Sequence, residues 1–350
     1  MGSIPYDLLR TTRANLHSFH RVVLEGLKAD LKSRLFGQHI AAEVIMKAVN
    51  GLMNNDNPKK PLVLSFHGRT GTGKNLACEL IVKNIYKEGM DSRFVHFINS
   101  ELHFPHISQV ETYKSQLQHW IRGNVTNCAR SMFIFDQMEV MHAGVIDGIK
   151  PFMDYQNKLD GMSYSNAIFI FLSNNGSTFI TQTTLDSLKA GQEREKLKLK
   201  DMETDLSLFI YRGVSNVVDF FIPFLPLERL HIVQCIMVEM KAMGHEPQHE
   251  MACELADEVV NYFPKDEKFF SSPGCKKIAR RLRLYMSSNK WVVLRRWYDP
   301  RGKGDLLQLL VPLVLPQQVI KIVHGFLGVG HYGNAKTLHC LRRRFYWPDC

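Results

Sequence analysis

The chain has 350 residues, 45 % hydrophobic and 22 % charged, the make-up of a folded protein with room for two or three compact units. Its formal charge of +10 reads as a nucleic-acid signal until it is located: from Ser287 onward ten Lys/Arg face three Asp/Glu, so the tail holds +7 of that charge. Seven cysteines with no C-x-x-C exclude a small disulfide scaffold and leave the redox compartment open.

Residues 1–30 form an N-terminal segment in which Leu16, Val23 and Leu27 predict a helix. The first 25 residues show no uninterrupted apolar core of the kind a secretory signal needs. Ile40, Val44, Ala48 and Leu52 recur every four residues and predict a second helix, and Asn54–Pro61 is a polar loop by composition.

An apolar run of strand length, Leu62–Phe66, then feeds a glycine-rich turn that opens a helix at Lys74. Gly68, Arg69, Thr70, Gly71, Thr72, Gly73 and Lys74 spell G-x-x-x-x-G-K, a phosphate-binding loop. Its glycines let successive backbone N–H groups curl around a phosphate, the helix N-terminus adds partial positive charge, and the lysine reaches the outer phosphates. Asn75 stands where a Ser or Thr would usually offer a hydroxyl to Mg²⁺. The expected ligands are therefore ATP and Mg²⁺.

Phe94–Ile98 predicts a second strand, and Val110, Tyr113, Leu117 and Trp120 mark the buried stripe of a helix. Between them, His103 and His106 have no carboxylate or cysteine at ligand spacing, so a structural loop is the expectation. Met132–Asp136 is a third buried-type strand ending in a carboxylate, the Walker B position, where Asp136 would hold Mg²⁺ against the outer phosphates. The next residue, where a general base normally sits, is Gln137. A fourth strand, Ala167–Leu172, runs into Ser173 and Asn174, and an Asn there can orient the attacking water. A plain turn-forming Asn is the alternative.

Short apolar strands alternating with helices predict an α/β fold with a parallel sheet and a site at the strands' carboxyl ends. From Phe221 the pattern becomes helical, with helices expected over Pro226–Met243, over Met251–Phe263 and from near Gly274. The expected division is a large nucleotide-binding domain over 31–220, a small helical domain over 221–286 and a basic tail over 287–350. The apolar stretch Leu306–Leu315 in that tail is too short to span a bilayer and is interrupted by Pro312, so no transmembrane segment is expected. A helical cluster appended to a P-loop sheet is the layout of AAA+ ATPases.

From about Leu27 to Met286 the residues resemble the torsins, AAA+ ATPases of the endoplasmic reticulum lumen and nuclear envelope. The resemblance rests on Phe36–His39, on the loop Gly68–Asn75 with its terminal Asn, on Leu102–His106, Trp120–Asn124, Phe133–Asp136 and Met141–Gly144, and on Phe169–Asn174, Phe221–Glu228 and Gly274-Cys275-Lys276. It implies that Asn174 is sensor 1 and Lys276 sensor 2, near the terminal phosphate. It implies a disulfide between Cys235 and Cys275 that ties redox state to nucleotide binding, where spacing alone leaves two free thiols equally open. Two N-x-S/T sequons occur, at Asn124 and Asn175, and the resemblance makes Asn124 a glycosylation candidate. It also implies a chaperone-like remodeller, homo- or hetero-oligomeric, whose arginine finger comes in trans from the luminal domains of membrane-anchored activators.

The chain departs from that pattern in several places. Gln137 replaces a glutamate, and an amide keeps the shape but cannot take a proton, so hydrolysis is expected to be slow or lost. A hydrolysis-impaired nucleotide-binding scaffold is the alternative reading. The segment between Leu208 and Val218 looks shortened ahead of a strand expected at Asp219–Phe221, and neither a hydrophobic leader nor an N-terminal partner for Cys128 is visible. In the tail, His324, His331, Gly333, Lys336–Leu338 and Arg344–Pro348 resemble the histidine half of the zinc-binding domain of retroelement integrases, without the C-x-x-C that would complete four ligands. The expectation there is a poorly structured extension. A nucleic-acid-binding protein led by this tail is a third reading, and no nucleic-acid partner is expected of the nucleotide-binding body.

Overall fold

The computed structural model describes residues 13–155, 159, 161–209, 212–288, 294–298, 305–310 and 345–346. The chain divides into two compact units, Met1–Arg280 and Arg281–Cys350.

The first unit opens on α1 (Arg13–Arg34) and α2 (His39–Met53), followed by β1 (Leu62–Gly68) and α3 (Lys74–Ile85). Next come β2 (Val95–Asn99), the single turn α4 (Ser100–His103), α5 (Val110–Asn127), β3 (Met132–Asp136) and α6 (Ala143–Ile149). Then β4 (Ile168–Ser173), α7 (Ser177–Lys189), the short α8 (Glu203–Leu206) and α9 (Arg212–Ser215), and β5 (Phe220–Phe224) complete the sheet and its cover. The five strands are all parallel, in the order β2-β3-β4-β1-β5.

Parallel strands carry helices on both faces, so their residues are apolar on both sides rather than alternating. Every residue of β4, and Met132–Phe135 of β3, is buried. The rings of Phe133 and Phe169 lie 5.2 Å apart and those of Phe135 and Phe171 5.5 Å apart, across the β3–β4 pair. Each such ring contributes about 1.5–3 kcal/mol by its burial, and truncating Phe169 to Ala would cost about 3–5 kcal/mol.

The helix expected within residues 1–30 runs to Arg34 and buries Val23, Leu27 and Leu31 at four-residue spacing, so it belongs to the large domain's core. Leu16's side chain lies outside the described part. The sheet also passes the boundary expected at residue 220. Phe220–Phe224 pairs with Leu64–Gly68 as a fifth strand, its entry fixed by Asp219, which accepts from the Val63 N–H at 2.8 Å and pairs with Lys60 at 2.9 Å. Its Pro223 sits on an edge strand, where a missing N–H costs no ladder bond.

Beyond the sheet come α10 (Arg229–Ala242), α11 (His249–Val259), β6 (Tyr262–Phe263), β7 (Phe270–Ser271) and the start of α12 (Ile278–Ser288). A helix through Phe263 was expected, but Tyr262–Phe263 pairs with Phe270–Ser271 as a hairpin. Pro264 explains the difference: it disfavours helical backbone at the residue before it and cannot donate to a helix turn. Cys235 of α10 is disulfide-bonded to Cys275, with Cα atoms 6.3 Å apart. Within the second unit, β8 (Leu294–Tyr298) pairs antiparallel with β9 (Asp305–Leu310), which pairs parallel with β10 (Phe345–Tyr346). His324, His331, Gly333, Lys336–Leu338 and Cys350 lie outside the described residues. No helix among the described residues is long and apolar enough to cross a membrane.

Candidate nucleotide-binding site

In the sheet order, β1 lies between β4 and β5, and its carboxyl end opens at the crevice where chain direction switches. A cavity of about 430 Å³ sits there, lined by Thr70, Gly71, Gly73, Lys74, Asn75, Leu76, Asp136, Gln137, Asn174, Cys275 and Lys276. Ten of these eleven were expected, as site residues or, for Cys275, as half of the disulfide. Their elements are β1 and α3, β3, β4 and the turn before α12.

Lys74 is buried at the first residue of α3, and its ammonium donates to Gly68 O at 2.6 Å, Arg69 O at 3.1 Å and Asn174 Oδ1 at 3.0 Å. Burial pushes its pKa down to about 8; Glu139 and Asp136 pull the other way, and Lys276 adds to the lowering. Lys276 is therefore within electrostatic reach of Lys74. Asp136 accepts from its neighbour's N–H (Gln137) at 2.9 Å and from Asn75 Nδ2 at 3.4 Å. Gln137 itself holds a left-handed backbone, φ 60°, a conformation that costs a non-glycine residue about 1–3 kcal/mol and clusters at working sites.

The rest of the loop is braced from outside the cavity. Thr72 Oγ1 donates to Arg69 O at 2.8 Å, and Thr72 O accepts from Gln38 Nε2 at 3.0 Å. Gln38 also binds both backbone groups of Leu225, joining the residues before α2 to the loop and to the end of β5. Arg69 lies over the Phe263 ring at 4.4 Å, a cation–π contact between the loop and the β6–β7 hairpin. The Cys275 N–H donates to Gly71 O at 3.0 Å, so the disulfide-bonded turn is seated on the loop.

Two contributors went unforeseen. Glu139 reaches Asn174 and Ser173, and buried His67 bonds Ser65 Oγ at 2.8 Å and Asn175 O at 3.1 Å, behind the same turn. Burial pushes His67 down to about 4, so it stays neutral at pH 7. The available signals were a second carboxylate two residues past Gln137 and a polar pair inside an apolar strand. Asn124 lies on α5, outside the cavity lining, and its Nδ2 donates to Trp120 O at 2.8 Å. His103 ends the single turn α4 and His106 follows it in the loop before α5, both exposed.

A parallel sheet with this strand order, a phosphate loop on β1, a carboxylate on β3 and an Asn on β4 defines an AAA+ ATPase fold. The described chain resembles Hsp104 in a closed state with ATPγS and FITC-casein, with a TM-score of 0.52 and 18 % identity over 78 % of this chain and 46 % of that one. It resembles the Hsp104–ADP complex of S. cerevisiae equally, with a TM-score of 0.52 and 18 % identity over 76 % and 46 %. The chain thus spans less than half the length of the Hsp104 chains it matches. The torsin family model matches residues 16–135, and the model for the C-terminal domain of torsin-1A matches 227–285. The chain belongs to the torsin family. A third model, the integrase zinc-binding domain, matches 311–350, so the chain carries a C-terminal extension of different kinship.

Proposed function

We propose that this chain binds ATP with Mg²⁺ between the phosphate loop and the Cys275–Lys276 turn, turns it over slowly, and uses nucleotide occupancy to control docking of a protein partner. The observation that carries the reading is the convergence of Lys74, Asp136, Asn174 and Lys276 on one cavity. Lys74 and the loop amides would receive the outer phosphates, with Lys276 adding positive charge. Mg²⁺ would be held by Asp136, with the Asn75 amide oxygen in place of the usual hydroxyl, and would offset charge building on the phosphates.

Membership of the torsin family supports a chaperone-like remodeller in the lumen of the endoplasmic reticulum and nuclear envelope. Its partners would be luminal domains of membrane-anchored activators that supply an arginine finger, and it would work as a homo- or hetero-oligomer. The contact between the Cys235–Cys275 turn and Gly71 supports redox control of the site. Glycosylation of Asn124 belongs to the same luminal reading.

Gln137 favours a second version of this function, a scaffold that holds ATP and seldom hydrolyses it. An amide there can position water but cannot accept its proton. Pull-down of the purified full chain by an activator's luminal domain, with ATP-Mg²⁺, with ADP or without nucleotide, tests the shared part of both versions. Capture that requires ATP is expected; equal capture in all three conditions would remove nucleotide control from the account.

A further inference from the structure

Among the described residues, one carboxylate beside the cavity is left over by the nucleotide-binding reading. Glu139 follows Asp136 by three residues, on the turn after β3, and both its oxygens are engaged. Oε1 accepts from Asn174 Nδ2 at 2.6 Å; Oε2 accepts from Ser173 Oγ at 3.1 Å and from the Asn174 backbone N–H at 3.2 Å. On its other side, Asn174 Oδ1 accepts from Lys74 Nζ at 3.0 Å and from Thr70 Oγ1 at 3.5 Å.

The chemistry of the neighbours leaves the amide one orientation. A carboxylate only accepts hydrogen bonds and an ammonium only donates them, so the NH₂ must face Glu139 and the oxygen must face Lys74. Removing Glu139 would leave the NH₂ and the Asn174 backbone N–H unheld, with only the contacts to Lys74 and Thr70 on the oxygen, so the side chain would be free to swing off its place.

We infer that Glu139 is a positioning residue for ATP hydrolysis, holding Asn174 so that its carbonyl oxygen, and not its NH₂, is presented to the phosphate site. An oxygen in that place can hold only a donor. The donors that hydrolysis brings are the O–H groups of the attacking water, whereas fully ionised phosphate oxygens offer none. Asn174 would therefore orient the water, and Glu139 would act through it. This rests on the nucleotide reading above.

The test uses the full chain carrying Gln137→Glu, which restores a proton acceptor, together with an activator's luminal domain, with single-turnover release of phosphate from labelled ATP and equilibrium binding of a fluorescent ATP analogue. Adding Glu139→Ala is expected to slow the chemical step by about 10²-fold, the scale of a misplaced reacting group, while changing nucleotide affinity less than about threefold. Adding Glu139→Gln should fall between, because its oxygen can still take the Asn174 NH₂ while its own NH₂ meets the Asn174 N–H. Side-chain amide NMR of Asn174, assigned by loss of the signal in Asn174→Asp, should show one proton displaced downfield in the parent and restored in Glu139→Ala.

Equal turnover in the parent and Glu139→Ala chains, or an Asn174 amide signal that ignores the substitution, overturns the inference while leaving nucleotide binding intact. No turnover in the Gln137→Glu parent also overturns it. Lys74→Ala, assayed alongside, keeps the two readings apart: unchanged ATP affinity there brings down the site itself.

Discussion

The backbone N–H of Cys275 donates to the carbonyl of Gly71 across 3.0 Å, so the turn that carries the disulfide rests directly on the phosphate loop. Such closeness needs glycine on both sides. A Cβ at Gly71 (φ +83°) would lie 2.0 Å from Pro273 O, and one at Gly274 (φ +56°) would lie 2.2 Å from Gly71 O. Gly71→Ala or Gly274→Ala is therefore expected to lower stability by about 1–3 kcal/mol and to weaken ATP binding. Gly51→Ala, in α2 with nothing within 4 Å of the added carbon, should leave ATP binding alone. Denaturant melts and ATP titrations of the three variants make the comparison.

Nucleotide turnover should respond to one atom pair at residue 137. Gln137→Glu supplies a base where an amide now stands, and a positioned base contributes about 10²–10⁴-fold, or about 3–5 kcal/mol of barrier. Phosphate release measured with an activator present should rise by that order. An unchanged rate would show that the base lies elsewhere.

ATP affinity should depend on pH through Lys74. Its pKa in the free protein is held near 8, first by burial and then by Lys276, and a bound phosphate favours the charged form. Below about 8 the ammonium is already charged and affinity should be flat. Above it, binding must draw a proton from solution, so Kd should rise with pH by up to about tenfold per unit. Titrations between pH 6.5 and 9.5 check this, and Lys74→Arg should remove the dependence because guanidinium stays charged.

Acid should destabilise the chain through buried histidines. Burial lowers His67 from 6.5 to about 4. As pH falls from 6.5 toward 4, the unfolded chain takes up a proton that folded His67 refuses, so stability is lost across that window and not above it. Each such group contributes a slope of up to about 1.4 kcal/mol per pH unit. Histidine 231, pushed to about 4 by burial and by Arg194, adds a second. Denaturant midpoints for wild type and His67→Gln should diverge most near neutrality and converge toward pH 4, as wild type loses what the variant never had.

The Cys235–Cys275 bond joins residues 40 apart in sequence. In the loop-entropy account such a link contributes on the order of 4 kcal/mol. Because Cys275 also lines the cavity, Cys235→Ser should lower both the denaturant midpoint and the affinity for ATP. A loss of stability with unchanged affinity would reduce the bond to a structural link.

Much of this arrangement is legible in the linear sequence because its signals are local. Gly68–Lys74 is a spacing motif, and Met132–Asp136 and Ala167–Asn174 are apolar runs that end in the functional residue itself. Where distant parts meet, the sequence is silent. Asp219–Phe221 is legible as a strand, but its extension to Phe224 and its place beside β1, past the domain boundary expected at residue 220, come only with the pairing. Tyr262–Phe263 completes a plausible helical stripe until Pro264 and the partner strand Phe270–Ser271 are considered together. Glu139 offers only the weak cue of a carboxylate two residues past Gln137, because its role depends on how β3 and β4 align. Arg69 belongs to the phosphate loop by spacing, and that its guanidinium lies over Phe263 is not legible there.

A triphosphate bound against Lys74 is the centre of the proposed function, and equilibrium titration of a fluorescent ATP analogue into the full chain and its Lys74→Ala variant measures it directly. Loss of the ammonium should raise Kd by at least about tenfold, the value of a hydrogen-bonded charge pair. Indistinguishable affinities for the two proteins would contradict it.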